Sequence, residues 1–299
     1  MMPRYARRGC AVAMLLLLAA CGASPAESPP EGPTVAVDAE LRALLPDDVR
    51  EAGVLTVATD ASYPPLNSFG PDGRTIVGFE PDLMAALGDL LGIRVEFERR
   101  DFDTMLDDVA AHRIGVVVSA MTDTVDRQER ADFVNYFRAG TSIVVQRGNP
   151  RGIHDLNGLC GEVVAVEAGT VQVDLLERSQ AGCAEAPIMV STFPTNDDAL
   201  LELRTGRAAA VLNDYPPAVF ITTNERTEGA FQLVSDVQYE PGLYGMAVAK
   251  DRPELRDLLA AAVGRLVDSG VYEQLLESWD VRSGAVSEVT INGRAPGSF

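Results

Sequence analysis

Short apolar runs alternate along this chain with stretches whose apolar residues recur every three or four positions. Residues 54–58 (Val-Leu-Thr-Val-Ala) form a β-rich run followed by a loop carrying Tyr63 and a turn at Pro71-Asp72-Gly73. Residues 79–82 then open a helix in which Leu83, Met84, Leu87, Leu90 and Leu91 fall on one face, and Gly92 closes it. Residues 93–97 alternate as a strand does, and 101–103 lead a second helix with Phe102, Met105, Leu106, Val109 and Ala110 along one side. The apolar run 114–118 reads as a buried strand. Strand, helix, strand, helix, strand predicts a parallel α/β sheet, which needs helices on its faces.

Residues 126–133 have a helical pattern, after which a short strand, 142–146, leads out of this lobe to the breaker at 148–150. The alternation then starts again. Strands are expected at 163–166, 188–190 and 208–212, with helices at about 169–179 and 196–205 and from about Pro216. Near 239–244 the chain turns back into a strand at 245–249 and two helices, 253–268 and 270–279. The expected organisation is a first lobe from 51–146, a second lobe from 147–242, a return to the first at 243–283, and a tail at 284–299 without trusted periodicity that packs back on the first lobe.

The amino-terminal end changes the compartment. Arg4, Arg7 and Arg8 precede an apolar run at 11–20 that is too short to span a bilayer but suits a signal peptide, 1–20. Leu18-Ala-Ala-Cys21-Gly22 resembles a lipobox, which makes Cys21 the expected lipid anchor; an ordinary signal cut after Ala20 is the alternative. The stretch that follows is rich in proline, serine and glycine and cannot bury a core. A tether is therefore expected over 21–50, its most biased part ending near residue 38. Of the four cysteines, Cys10 and Cys21 lie in or beside this leader, so Cys160 and Cys183 remain. In an oxidising compartment they are expected to form one disulfide, two separate buried thiols being the alternative.

The net charge is −19, and without the leader's three arginines it becomes −22, since residues 1–20 contain no acid. That excludes a general nucleic-acid binder. Lys250 is the only lysine, so basic chemistry falls to arginine. His112 and His154 stand in unrelated contexts, and no nucleophile-base pair, zinc-type spacing or phosphate-cradling glycine loop is present. No cofactor or metal is expected.

Residues 119–127 (Ser-Ala-Met-Thr-Asp-Thr-Val-Asp-Arg) carry the candidate chemistry. They follow the buried strand 114–118, so the hydroxyls of Ser119 and Thr122 emerge at its carboxyl end, where open α/β sheets collect ligands. Arg127, one turn into the following helix, offers the planar fork that matches a carboxylate. The alternative is a capped helix with an arginine on its solvated face.

The order of motifs is similar to that of the family-3 extracellular solute-binding proteins, the amino-acid-binding components of ABC importers. The matching residues are Thr-Asp-Ala-Ser-Tyr-Pro-Pro (59–65), Gly-Phe-Glu-Pro-Asp-Leu (78–83), Ser-Ala-Met-Thr followed by Arg127, Asp-Phe (132–133), Asp-Leu-Asn-Gly (155–158), Ala-Gly-Thr (168–170) and Asn-Asp-Tyr-Pro (213–216). The resemblance implies a periplasmic-binding-protein-like type II fold, with two α/β lobes joined by a two-strand hinge and a ligand buried between them on closure. It implies that Arg127 clamps an α-carboxylate with Thr122 and backbone groups of Ser119 and Ala120, that Thr170 reaches the same group from a helix amino terminus, and that Asp214 takes the α-ammonium. As residues alone, Asp214 reads equally as a cap for the helix at Pro216. Tyr63 and Phe102 match aromatic positions that sandwich the ligand side chain, although Phe102 also begins an apolar stripe. Asp60 matches a position that contacts the cation of basic ligands in some members and recurs in members of other specificity. Leu66 stands where many members carry a bulkier aromatic.

The implied partners are an amino acid, an importer permease and, through Cys21, the outer face of a cell membrane; a monomer is expected. Two other classes share the fold: cyclohexadienyl dehydratases, which would need a proton donor in the cleft, and sensory components that present the closed state to a receptor.

Overall fold

The computed structural model describes residues 35–184 and 186–294. The signal peptide and Cys21 lie outside the described residues. The expected tether to residue 50 is too long: α1 (Ala39–Ala43) and α2 (Asp47–Ala52) occupy its second half. Asp38 caps α1 by accepting from the amides of Glu40 and Leu41, and Leu41, Leu45 and Val49 then bury four residues apart on the first lobe.

The first lobe contains β1 (Val54–Thr59), the small meander β2 (Ser62–Tyr63), β3 (Asn67–Phe69) and β4 (Ile76–Val77), then α3 (Phe79–Leu91), β5 (Arg94–Arg99), α4 (Met105–Ala110) and β6 (Val116–Val117). β1 pairs in parallel with β5 and β6, as the alternation predicts. α3 begins with Pro81 in its first turn and ends at Gly92, whose φ of 65° supplies the left-handed cap.

One expectation fails beyond this point. The helical segment 126–133 shrinks to α5 (Val125–Gln128), and β7 (Ala131–Gln146) runs for 16 residues where only 142–146 read as a strand. Both faces of β7 are buried over nearly its whole length, so alternation is missing and the local pattern misleads.

The second lobe contains β8 (Val163–Glu167), α6 (Val171–Ser179), β9 (Met189–Phe193), α7 (Asn196–Arg204), β10 (Ala210–Asp214), α8 (Tyr215–Thr223) and β11 (Phe231–Leu233). β12 (Tyr239–Ala249) then returns antiparallel to β7, from Tyr239 opposite Thr141 to Ala249 opposite Ala131. α9 (Pro253–Asp268) and α10 (Val271–Ser278) cover the first lobe. The strand order β5-β1-β6-β12-β7-β10-β8-β9 puts the β7/β12 pair in the middle, with one α/β unit on each side. Two α/β lobes joined by two long strands is the fold that the resemblance implies.

Each lobe has its own apolar layers. Phe79, Leu83, Leu87, Tyr136, Phe137, Leu259 and Leu276 belong to the largest, while Ile143, Val164, Leu176 and Leu212 lie on one side of the second-lobe sheet and Val144, Val211 and Leu203 on the other. Cys160 and Cys183 are joined, 23 residues apart; closing a loop of that length stabilises the fold by about 3 kcal/mol. The tail packs on the first lobe. Val289 is buried, β13 (Thr290–Ile291) pairs with Asn135 and Val134 of β7, and Gly284 lies so close to the Phe137 ring that a Cβ would sit 1.9 Å from it. No described helix is long and apolar enough to cross a membrane.

Candidate ligand cleft

Strand ends from both lobes meet around one cleft. The first lobe supplies Asp60 after β1, Tyr63 of β2, Phe102 before α4, Ser119, Ala120 and Thr122 after β6, and Arg127 of α5; the second supplies Glu167 at the end of β8, Thr170, Val171 and Gln172 at the start of α6, and Asp214 at the end of β10. All nine residues singled out in the sequence line this one cleft. Glu167, Val171 and Gln172 join them without a motif that marks them in the sequence.

Hydrogen bonds cross the cleft. Arg127 donates from Nη1 to the Thr122 carbonyl at 2.7 Å and from Nη2 to the Gly169 carbonyl of the other lobe at 2.9 Å, which leaves three of its five N–H groups unassigned. Thr124 does cap α5, accepting from the Arg127 amide, but the Arg127 side chain turns into the cleft with its guanidinium 5.5 Å from the Phe102 ring centre. Burial, partly offset by Asp174 and Asp214, pushes its pKa down to about 10, so it stays charged. Phe102 satisfies both of its readings: it packs with Met105, Leu106 and Val109 and also lines the cleft.

Gly169 fixes how closely the lobes approach. Its φ is +74°, and a Cβ there would stand 2.9 Å from Cβ of Asp103 in the first lobe. The Asp214 amide donates to the Tyr63 hydroxyl at 2.8 Å, and the Asn196 amide and side chain donate to Ser62 Oγ and O, both at 3.3 Å.

Asp214 occupies the N-cap position of α8 but makes no side-chain cap bond. Its Oδ1 instead accepts from Gln172 Nε2 at 2.7 Å. Burial raises its pKa to about 6, against the opposing pull of the Tyr244 and Tyr63 hydroxyls and the Arg127 charge. Thr170 opens α6 with its hydroxyl donating to the Glu167 carbonyl at 2.8 Å, so the first-turn amides of α6 face the cleft without a side-chain cap.

One expected role is corrected. The Ala120 amide donates to Glu80 Oε1 at 2.7 Å and is therefore not free for a ligand carboxylate. Ser119 Oγ accepts from the Asp60 amide at 3.0 Å, which makes it a support for Asp60 as well as part of the cleft wall. Leu66 is fully buried in the first-lobe core and takes no part in the cleft wall.

Two carboxylates stand out. Asp60 Oδ2 accepts from the Ser62 hydroxyl, but Asp60 Oδ1 and Glu167 Oε1 are buried with no hydrogen-bond donor among the described residues. Burial raises both pKa values, and for Glu167, pushed well above the usual range, the neighbouring Asp60 adds to the effect. The nearby cation among the described residues is Arg99, whose Nη2 is 3.6 Å from Asp60 Oδ1 and 3.1 Å from Asp101, and which is 39% exposed. The cleft thus has two poles: Arg127 and Asp214 are electrostatic neighbours at one, Asp60 and Glu167 at the other.

Residues 55–281 match the bacterial extracellular solute-binding proteins, family 3. The chain belongs to that family. Among relatives, it is 30% identical over 288 residues to the arginine-binding protein ArgT of Corynebacterium glutamicum, covering 94% of this chain and 93% of the relative. An ancestral arginine-binding protein bound to arginine superposes with a TM-score of 0.70 at 32% identity, covering 76% of this chain and 98% of that one. The ancestral amino-acid-binding protein AncCDT-1, described as a precursor of cyclohexadienyl dehydratase, gives 0.69 at 29% identity, covering 78% and 98%. Within a family-3 solute-binding protein, the signal for Glu167 was the rule already applied to Ser119: it is the last residue of a parallel strand. The strand expected over 163–166 extends one residue further, to Glu167.

Proposed function

We propose that this protein captures an α-amino acid with a cationic side chain, arginine first among them, and hands it to an ABC importer permease. The observation that carries the reading is the pair of buried carboxylate oxygens, Asp60 Oδ1 and Glu167 Oε1, which no described residue hydrogen-bonds; Asp60 Oδ1 has only the half-exposed Arg99 guanidinium at 3.6 Å. Buried acceptors without partners are costly, and a guanidinium presents a planar fork of donors with a matching charge. At the other pole, the remaining N–H groups of Arg127, the Thr122 hydroxyl and the first-turn amides of α6 suit the α-carboxylate, and Asp214 suits the α-ammonium. Phe102 and Tyr63 offer apolar surface to the methylene stem between the poles.

Each lobe contributes to both poles, so binding favours the closed form through contacts that the separated lobes cannot make. Several relatives are arginine-binding proteins, although an L-cystine-binding protein is also among them. Lys250, the only lysine, donates to the Gln128 carbonyl away from the cleft, so the basic residue an elimination reaction could use is spent elsewhere. A binder, held at the outer face of a membrane by a lipid on Cys21, fits better than a dehydratase. Thermal shift against arginine, lysine, ornithine, glutamine and cystine tests the reading: arginine at a hundred times its dissociation constant should stabilise the fold by about 2.7 kcal/mol. A response to cystine or glutamine with none to arginine would refute it.

A further inference from the structure

Asp60 belongs to the first lobe and Glu167 to the second, so only closure brings them together. The surrounding charges do not neutralise the pair. The first lobe presents Asp60, Asp103 and Arg99, with Asp101 already drawing on the arginine; the second presents Glu167 and Asp197, with Asp198 behind it. Tyr63 adds a hydroxyl but no charge. Each lobe therefore shows the other an excess of carboxylate, and like charges taken out of water together oppose the approach.

Other contacts pull the lobes together whatever the ligand. Ser62 with Asn196, Tyr63 with the Asp214 amide and Arg127 with the Gly169 carbonyl all cross the seam. Ser62 joins the two sets, since its hydroxyl donates to Asp60 Oδ2 while its oxygen accepts from the first amide of α7.

We infer that Asp60 and Glu167 form a charge gate on closure: the lobes close fully only when a positive charge enters between the two carboxylates, and Glu167 is the residue that holds the unloaded protein open. This rests on the proposed reading for the identity of the cation, but the gate itself is tested without any ligand. Protons can stand in for the cation, because neutralising either carboxylate removes the repulsion. The gate would keep an importer component from closing, and so from signalling to its permease, without cargo. It also makes Glu167 a selectivity residue, since a neutral side chain brings no charge to open the gate.

Small-angle X-ray scattering of the ligand-free protein decides the matter, with scattering calculated from the closed structure as the reference. Glu167→Gln at pH 7.5 should raise the closed fraction by about tenfold and contract the radius of gyration toward the closed value. Asp60→Asn should act in the same direction, and the wild type should contract as pH falls from 7.5 toward 5. Melting curves confirm that both variants fold. Ligand-free wild type and variants with the same radius at both pH values would overturn the gate. Adding arginine to the wild type at pH 7.5 is a separate arm: failure to contract there would count against arginine as the ligand, while the ligand-free comparison still judges the gate.

Discussion

Two buried glutamates, one behind the cleft and one in its wall, show how the same side chain is put to opposite uses. Glu80 in the first lobe is fully buried, and its oxygens accept from Asn67 Nδ2 at 2.5 Å, from the Ala120 amide at 2.7 Å and from the Tyr136 hydroxyl. Burial still raises its pKa, but those three donors pull it back. Glu80 ties α3 and the meander after β1 to the loop that carries Ser119, so it shapes the cleft without reaching it. Glu167 in the second lobe is nearly as buried, yet one of its oxygens has no donor and its charged neighbours are mostly acids. A buried carboxylate that the protein satisfies is structural; one that it leaves waiting, in a wall of a cleft, is a request for a ligand.

The largest effect should come from breaking the satisfied member. Glu80→Ala leaves the donors of Asn67, Ala120 and Tyr136 buried without an acceptor, at about 1–3 kcal/mol each, so denaturant unfolding should show a loss of at least about 3 kcal/mol. Glu167→Gln should leave the unfolding midpoint unchanged or raised, and a loss as large as that of Glu80→Ala would erase the contrast.

Next in size is a pH effect at Asp214. Burial lifts the Asp214 pKa from 3.8 to about 6. Between those values the folded state holds a proton that the unfolded chain releases, so this group's contribution to stability is full below pH 4 and is lost as pH rises through 6. The loss is on the order of 3 kcal/mol. Melting temperatures of the ligand-free protein at pH 4.5 and 7 should therefore differ less in Asp214→Asn than in the wild type; an equal difference would remove Asp214 from the account.

Smallest is Arg127→Ala, which removes the proposed charge-assisted partner of the ligand carboxylate. Amino-acid affinity should fall at least about tenfold by calorimetry, while unchanged affinity would mean the carboxylate sits elsewhere.

Much of this was legible beforehand, for reasons that differ by region. The helices 79–91 and 253–268 announce themselves because one face of each is apolar and the ends carry proline or glycine. β7 does not, since a strand buried on both sides inside a two-lobe sheet loses the alternation that marks strands, and Asp126 to Arg130 imitate a helix. The nine cleft residues could be found because strand ends and a family pattern locate them. What no local pattern conveys is which donors are already taken: that the Ala120 amide belongs to Glu80, or that Glu167 Oε1 has no donor among the described residues, depends on residues far away in the chain. The proposed preference for a cationic ligand rests on that surplus.

The most direct test of that claim compares arginine with citrulline, which replaces the guanidinium with a neutral ureido group of nearly the same shape. Calorimetric titration of the wild type at pH 7.5 should give arginine at least about a hundredfold tighter binding, roughly 2.7 kcal/mol, with the gap narrowing in Glu167→Gln. Equal affinity for the two ligands would contradict the account, because the carboxylate pair would then not be reading charge.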